Sequence, residues 1–346
     1  SLDANTTGSV NVAVGYNSMG ANTTGSDNVG IGGNALSGNT TANNNVAVGF
    51  NALTALTTGI QNTAIGTNTL QTLTTASYNT AVGQSALLAN TSGANNTSVG
   101  ALSLPANTTA SNNTGIGFGA LYGTTTGASN TAVGSGALLA NSTGATNVAV
   151  GYQALNSNTT GYDNVAIGVE ALDANTTGYL NVCIGMSAGT SLTGGVYANT
   201  IVGATAATSM TSGIYNTAIG QGSMQLGTSC SYNTGVGSGS LLRIGTGNYN
   251  VGIGHLALEN LTTSSQNTGV GYNCMNNLTT GGSNVAIGYN SLSSDTLGDR
   301  AVAIGLNALA SQNFTSSTDN YNVGVGYQAG YAVTTGVENT LIGGLA

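Results

Sequence analysis

Apolar and polar residues alternate along this chain for only four or five positions before a glycine interrupts them, and the interruption returns at a fixed interval. Aligned on the motif Asn-x-small-Val/Ile-Gly, the repeats start at residue 11 and recur every 17 residues as far as 181. They continue at 199, 216, 233, 250, 267, 284, 301, 322 and 339, with one extra residue before 199 and four before 322. A constant period of this length over a whole chain predicts a solenoid, here of about twenty coils. Position 1 is Asn in every repeat except at Ala301, position 4 is Val or Ile from Val14 to Ile342, and position 5 is Gly from Gly15 to Gly343.

The segment 164–180 serves as a representative coil. Side chains alternate along a strand, so positions 2 and 4 share a face. Position 2 is Val or Thr and position 4 Val or Ile, and this β-branched pair, with Val150 and Ile167 as members, is expected to face inward. Glycine at position 5, as in Gly151 and Gly168, then ends the strand. A second short strand is predicted with small residues at position 8 and Leu at position 9, where Leu155 and Leu172 join an internal ladder. Thr-Thr-Gly closes the coil at a turn. The Asn column, including Asn11, Asn28, Asn147 and Asn164, is expected to bond backbone groups at the entry to the first strand and form a ladder from coil to coil. No helix is expected, and 1–346 reads as a single all-β, repetitive parallel β-solenoid domain.

Charge removes several classes of function. Only 3% of residues are charged, the net charge is −8 and no lysine is present, so the cation clusters that bind nucleic acid are missing. A polybasic membrane anchor is excluded on the same ground, and no apolar run approaches the roughly 20 residues that insert into a bilayer. The first residues carry neither an initiator Met nor a signal peptide, and the chain reads as an interior piece of a longer polypeptide. With about 4.8 Å per coil, Cys183 and Cys274 lie roughly 24 Å apart, beyond disulfide reach. The three cysteines therefore read as replacements of small residues.

Candidate chemistry is sparse. His255 occupies position 6, where Tyr16, Phe50, Tyr152 and Tyr289 stand in other coils, and is expected on an outer surface. Glu170 and Asp173 share a coil with no His or Lys beside them, which reads as a solvated rim rather than a glycosidase pair. Asp27 and Asp163 lie eight coils apart and cannot share a metal. The turns lack the Asp of calcium-binding nonapeptide repeats, and the Gly-x-Gly pieces lack the helix of a phosphate loop. Tyrosines gather at position 6 and near position 17, among them Tyr78, Tyr162, Tyr179, Tyr215, Tyr232 and Tyr249, and are expected to pack flat over turns or between chains. No catalytic, cofactor or metal residues are assigned, and the expected class is not an enzyme.

A thin core per coil, with columns of small residues at positions 3 and 8, predicts close lateral packing of chains, and we expect a homotrimer. Runs such as 147–155 and 284–292 resemble the head repeats of trimeric autotransporter adhesins and the repeats near the tips of bacteriophage tail fibres. The resemblance covers essentially the whole chain and implies a left-handed parallel β-roll in a trimer. It also implies an extracellular structural or adhesive rod, on a virion tail or a bacterial surface, joined to further fibre domains and a host receptor or glycan. The Thr-Thr-Gly turn makes these repeats longer than the usual adhesin head repeat. Two alternatives come from other classes: an ice-binding solenoid, suggested by the Thr-Thr column, and a tailspike-like protein binding carbohydrate.

Overall fold

A computed structural model describes residues 1–346, with no helix and 22 strands, most of them three residues long. The chain forms two compact units, Ser1–Glu170 and Ala171–Ala346. Each is an all-β, parallel β-solenoid.

In the first unit, ten strands run from β1 (Val12–Val14) and β2 (Val29–Ile31) to β9 (Val148–Val150) and β10 (Val165–Ile167). Each pairs in parallel with the strand one repeat later, so Val12 faces Val29 and Val148 faces Val165. The second unit runs from β11 (Val182–Ile184) through β17 (Val285–Ile287) to β19 (Val302–Ile304), β21 (Val323–Val325) and β22 (Thr340–Ile342). Both irregular coils are absorbed without loss of register: Val182 pairs with Thr200 and Val302 with Val323. The longer insertion adds a small parallel pair, β18 (Gly298–Asp299) with β20 (Thr318–Asp319).

The strands face the opposite way from the sequence expectation. Position 3 is the buried one, as in Ala47, Ala149 and Ala166, while positions 2 and 4 point outward. Val150 is half-buried and Ile167 is 37% exposed. The cause lies across the coil, where Leu at position 9 and Ala or Ser at position 8 already fill the interior. In four of the five coils with Ser at position 8 its hydroxyl donates to the carbonyl of position 3 in the next coil, and that residue is Gly, among them Ser18 to Gly30 at 2.8 Å, Ser103 to Gly115 at 3.0 Å and Ser240 to Gly252 at 2.7 Å. Ser291 donates instead to Gly288 O within its own coil. A Cβ on Gly115 would stand 2.6 Å from the Ser103 Oγ. A Val or Ile has no room there.

The expected second strand is also absent. Positions 7 and 9 both take positive φ, for example Asn34 at 58° and Leu36 at 54°, so the backbone alternates its handedness instead of extending. A left-handed residue other than Gly costs about 1–2 kcal/mol. Here most such residues keep a ladder of hydrogen bonds between coils: Leu36 N–H donates to Ala52 O at 3.0 Å and Asn34 N–H to Tyr16 O at 2.9 Å. Glycine at position 5 has a stricter reason. Gly151 sits at φ 135°, and a Cβ there would lie 2.6 Å from the Gly168 carbonyl carbon.

Candidate functional site

The Asn column at position 1 builds the seam on which each coil closes. Asn28 N–H donates to Asn11 Oδ1 at 3.0 Å, and Asn28 Nδ2 donates across its own coil to Ala42 O at 2.8 Å. Asn147 and Asn164 repeat the rung at 3.0 Å, and both are fully buried. Between its two half-buried ends, Asn11 and Asn339, the column is interior and hydrogen-bonded from rung to rung. Ala301 N–H still donates to Asn284 Oδ1 at 2.8 Å, but no side chain carries the column onward, and other groups take over: Asn322 N–H donates to Asn320 Oδ1 at 2.9 Å, while Asn322 Nδ2 donates to Gln312 Oε1 at 2.9 Å.

A second interior Asn column, at position 12, escaped the sequence reading. Asn39 Nδ2 donates to Asn22 Oδ1 at 2.9 Å and Asn158 Nδ2 to Asn141 Oδ1 at 2.9 Å. Its signal is the Asn immediately before Thr-Thr-Gly or Ser-Thr-Gly, hidden because other coils place Leu56, Leu73, Leu192 or Leu278 at the same position. At Asp295 the column carries a buried carboxylate, which accepts from Gly298 N–H at 3.0 Å, Phe314 N–H at 3.2 Å and Gln312 Nε2 at 2.7 Å. Leu155 and Leu172 are fully buried in the position 9 column, each within its own unit.

The exposed side of the strands is uncharged and β-branched. Position 4 presents Val or Ile on every rung, with Ile116 and Ile253 each 39% exposed, and position 2 presents Val or Thr beside it. No charged residue occupies either column. Aromatic stacks flank it in the chain. At position 6, His255 stacks on Tyr272 with centroids 5.4 Å apart, and Tyr272 on Tyr289 at 5.1 Å. Near position 17, Tyr179, Tyr197, Tyr215, Tyr232 and Tyr249 form a continuous run with centroids 5.0–5.4 Å apart.

No family model and no curated protein sequence matches the chain.

Titratable groups do not gather. No three His, Cys, Asp or Glu side chains form a cluster able to hold a metal ion. Cys183, Cys230 and Cys274 are free and buried, and burial pushes the Cys230 and Cys274 thiols up to about 11 and the Cys183 thiol higher still. The position 13 threonines, which suggested ice binding, direct their hydroxyl protons to backbone: Thr23 Oγ1 donates to Thr40 O and Thr91 Oγ1 to Thr108 O, both at 3.0 Å. Positions 2, 4 and 6 are the outward-facing columns on the strand side, whereas the Asn and Leu ladders are buried.

Proposed function

We propose that this chain is a structural, adhesive segment of an extracellular fibre that assembles as a homotrimer through the outer face of its strands. One observation carries the reading. The face of positions 2 and 4 repeats an uncharged, β-branched surface on every coil, and contiguous exposed apolar surface of this kind marks an interface. Burying it supplies the apolar area that each thin coil lacks within itself. The resemblance to adhesin heads and tail-fibre repeats agrees with that arrangement.

Sedimentation equilibrium tests it. The 33.7 kDa chain is expected to sediment at three times its mass, and a variant carrying Ile116→Asp, Val133→Asp and Val150→Asp is expected to dissociate while keeping its β-sheet circular dichroism. A monomeric wild-type chain at micromolar concentration would refute the proposal. The same face supports a second reading, because Thr or Val at position 2 and Val or Ile at position 4 recur in register from rung to rung. Ice binding requires that face to stay open, so a monomer showing thermal hysteresis would assign it to ice instead.

A further inference from the structure

We propose that a polar groove on the second unit binds an acidic, hydroxyl-rich oligosaccharide. The groove has a volume of about 720 Å³ and crosses five successive coils. One wall is built from position 11 and the other from position 13. Position 11 is small in most other coils, as in Ala21, Gly38, Ala55 and Ala106. In three consecutive coils it becomes Arg243, Asn260 and Asn277, and these longer side chains raise the wall.

The hydrogen-bond pattern says what the groove lacks. Thr262 and Thr279 donate their hydroxyl protons to the carbonyls of Thr279 and Thr296, each at 3.0 Å, leaving the oxygen lone pairs as acceptors. Asn260 Nδ2 donates to Asn276 O and Asn277 Nδ2 to Ser293 O, both at 3.0 Å, and neither Oδ1 receives a hydrogen bond. The walls therefore offer acceptors, together with the second N–H of each Asn amide, that recur about every 4.8 Å, at the spacing of the coils. A ligand that satisfies them brings a row of donors, which the hydroxyls of a saccharide chain provide.

Arg243 adds the charge. Of the two arginines, Arg300 pairs with Asp319 and lies over the Tyr321 ring, whereas Arg243 is exposed and holds no carboxylate. The nearest acidic residue in the next coil, Glu259, accepts Asn276 Nδ2 at 2.7 Å through its own carboxylate. An uncommitted guanidinium among neutral acceptors selects an anionic group by charge-assisted hydrogen bonds, and a uronic-acid carboxylate fits.

The test uses the full chain and three titrants followed by calorimetry: oligogalacturonate, the same oligomer with its carboxylates reduced to alcohols, and a poly-glutamate peptide of equal charge. The proposal expects binding of oligogalacturonate that weakens with salt, and an affinity about tenfold lower in Arg243→Ala and in Asn260→Ala/Asn277→Ala. Arg243→Lys keeps part of the affinity, and unchanged melting of Arg243→Ala shows that the fold is intact. Absence of oligogalacturonate binding, equal binding of the reduced oligomer or the peptide, or undiminished binding by Arg243→Ala would each overturn it. The groove lies within one chain and does not depend on the fibre reading. A monomer that binds the acidic oligomer would sink the trimer and leave this inference standing.

Discussion

Asn107 Oδ1 is the one buried side-chain polar atom with no hydrogen-bond partner. Its orphaning follows from the next rung of the position 12 column, where Thr124 stands and has no amide to give. Elsewhere the later Asn donates its Nδ2 to the earlier Oδ1, as Asn107 itself does to Asn90 at 3.2 Å. Thr124 instead accepts Asn141 Nδ2 on its hydroxyl at 3.3 Å. Thr124→Asn would continue the ladder in both directions, and chemical denaturation is expected to show a gain of about 1 kcal/mol. Thr124→Val, which removes the acceptor of Asn141 and supplies no donor, is expected to destabilise by a similar amount. A neutral Thr124→Asn would mean that water already satisfies Asn107.

At the scale of the strand and its facing turn, side-chain volume is shared between positions 3 and 9. Most coils set Ala or Gly at position 3 against Leu at position 9, but Cys183 and Ile201 are larger. The column shrinks to Gly189 and Ala207 in those same coils. A Cβ on Gly189 would lie 2.9 Å from Cys183 Sγ and 3.2 Å from Ile201 Cδ1. Gly189→Leu alone is expected to cost about 1–3 kcal/mol through overpacking, although its φ of 61° is one that leucines adopt at this position in other coils. Adding Cys183→Ala and Ile201→Ala removes both side chains that crowd the new leucine and should recover part of the loss, because Ile201→Ala also empties space beside Ala207. Melting of the single and triple variants checks the exchange, and a triple variant no better than Gly189→Leu would show that the two positions do not share space.

Within each unit, hydrogen bonds and packing run from each coil to its neighbours, so stability approximates a sum of coil and interface terms. Deleting 147–163, a complete repeat inside the first unit, would let Thr131 pair with Val165 in place of Val148. The Asn, Gly and Leu columns then rejoin in register. We expect that variant to keep its circular dichroism and a cooperative transition. Deleting eight residues from the same place, 147–154, sets a strand against a left-handed turn and breaks every column together, so loss of cooperative melting is expected. Equal tolerance of both deletions would contradict the coil as the unit of stability. If the trimer is real, its mass should survive the first deletion and not the second.

The sequence alone determined the period, the coil boundaries, the all-β class and the columns of Gly and Asn that recur from coil to coil. A repeated Asn and a repeated Gly at a spacing of 17 are consequences of stacking that no local context disguises. The direction of the side chains was a different matter. In a three-residue strand, Val-Ala-Val and Thr-Gly-Val can turn either the branched pair or the small residue inward, and hydrophobicity by itself favours the branched pair. Only the tertiary structure shows that Leu155 and its column, together with Ala and Ser at position 8, occupy the interior first. The left-handed Leu and Asn residues were equally hidden, because their strain is tolerated only when the next coil supplies hydrogen bonds. The same is true of the groove beside Arg243, which exists only where neighbouring coils align their position 11 side chains.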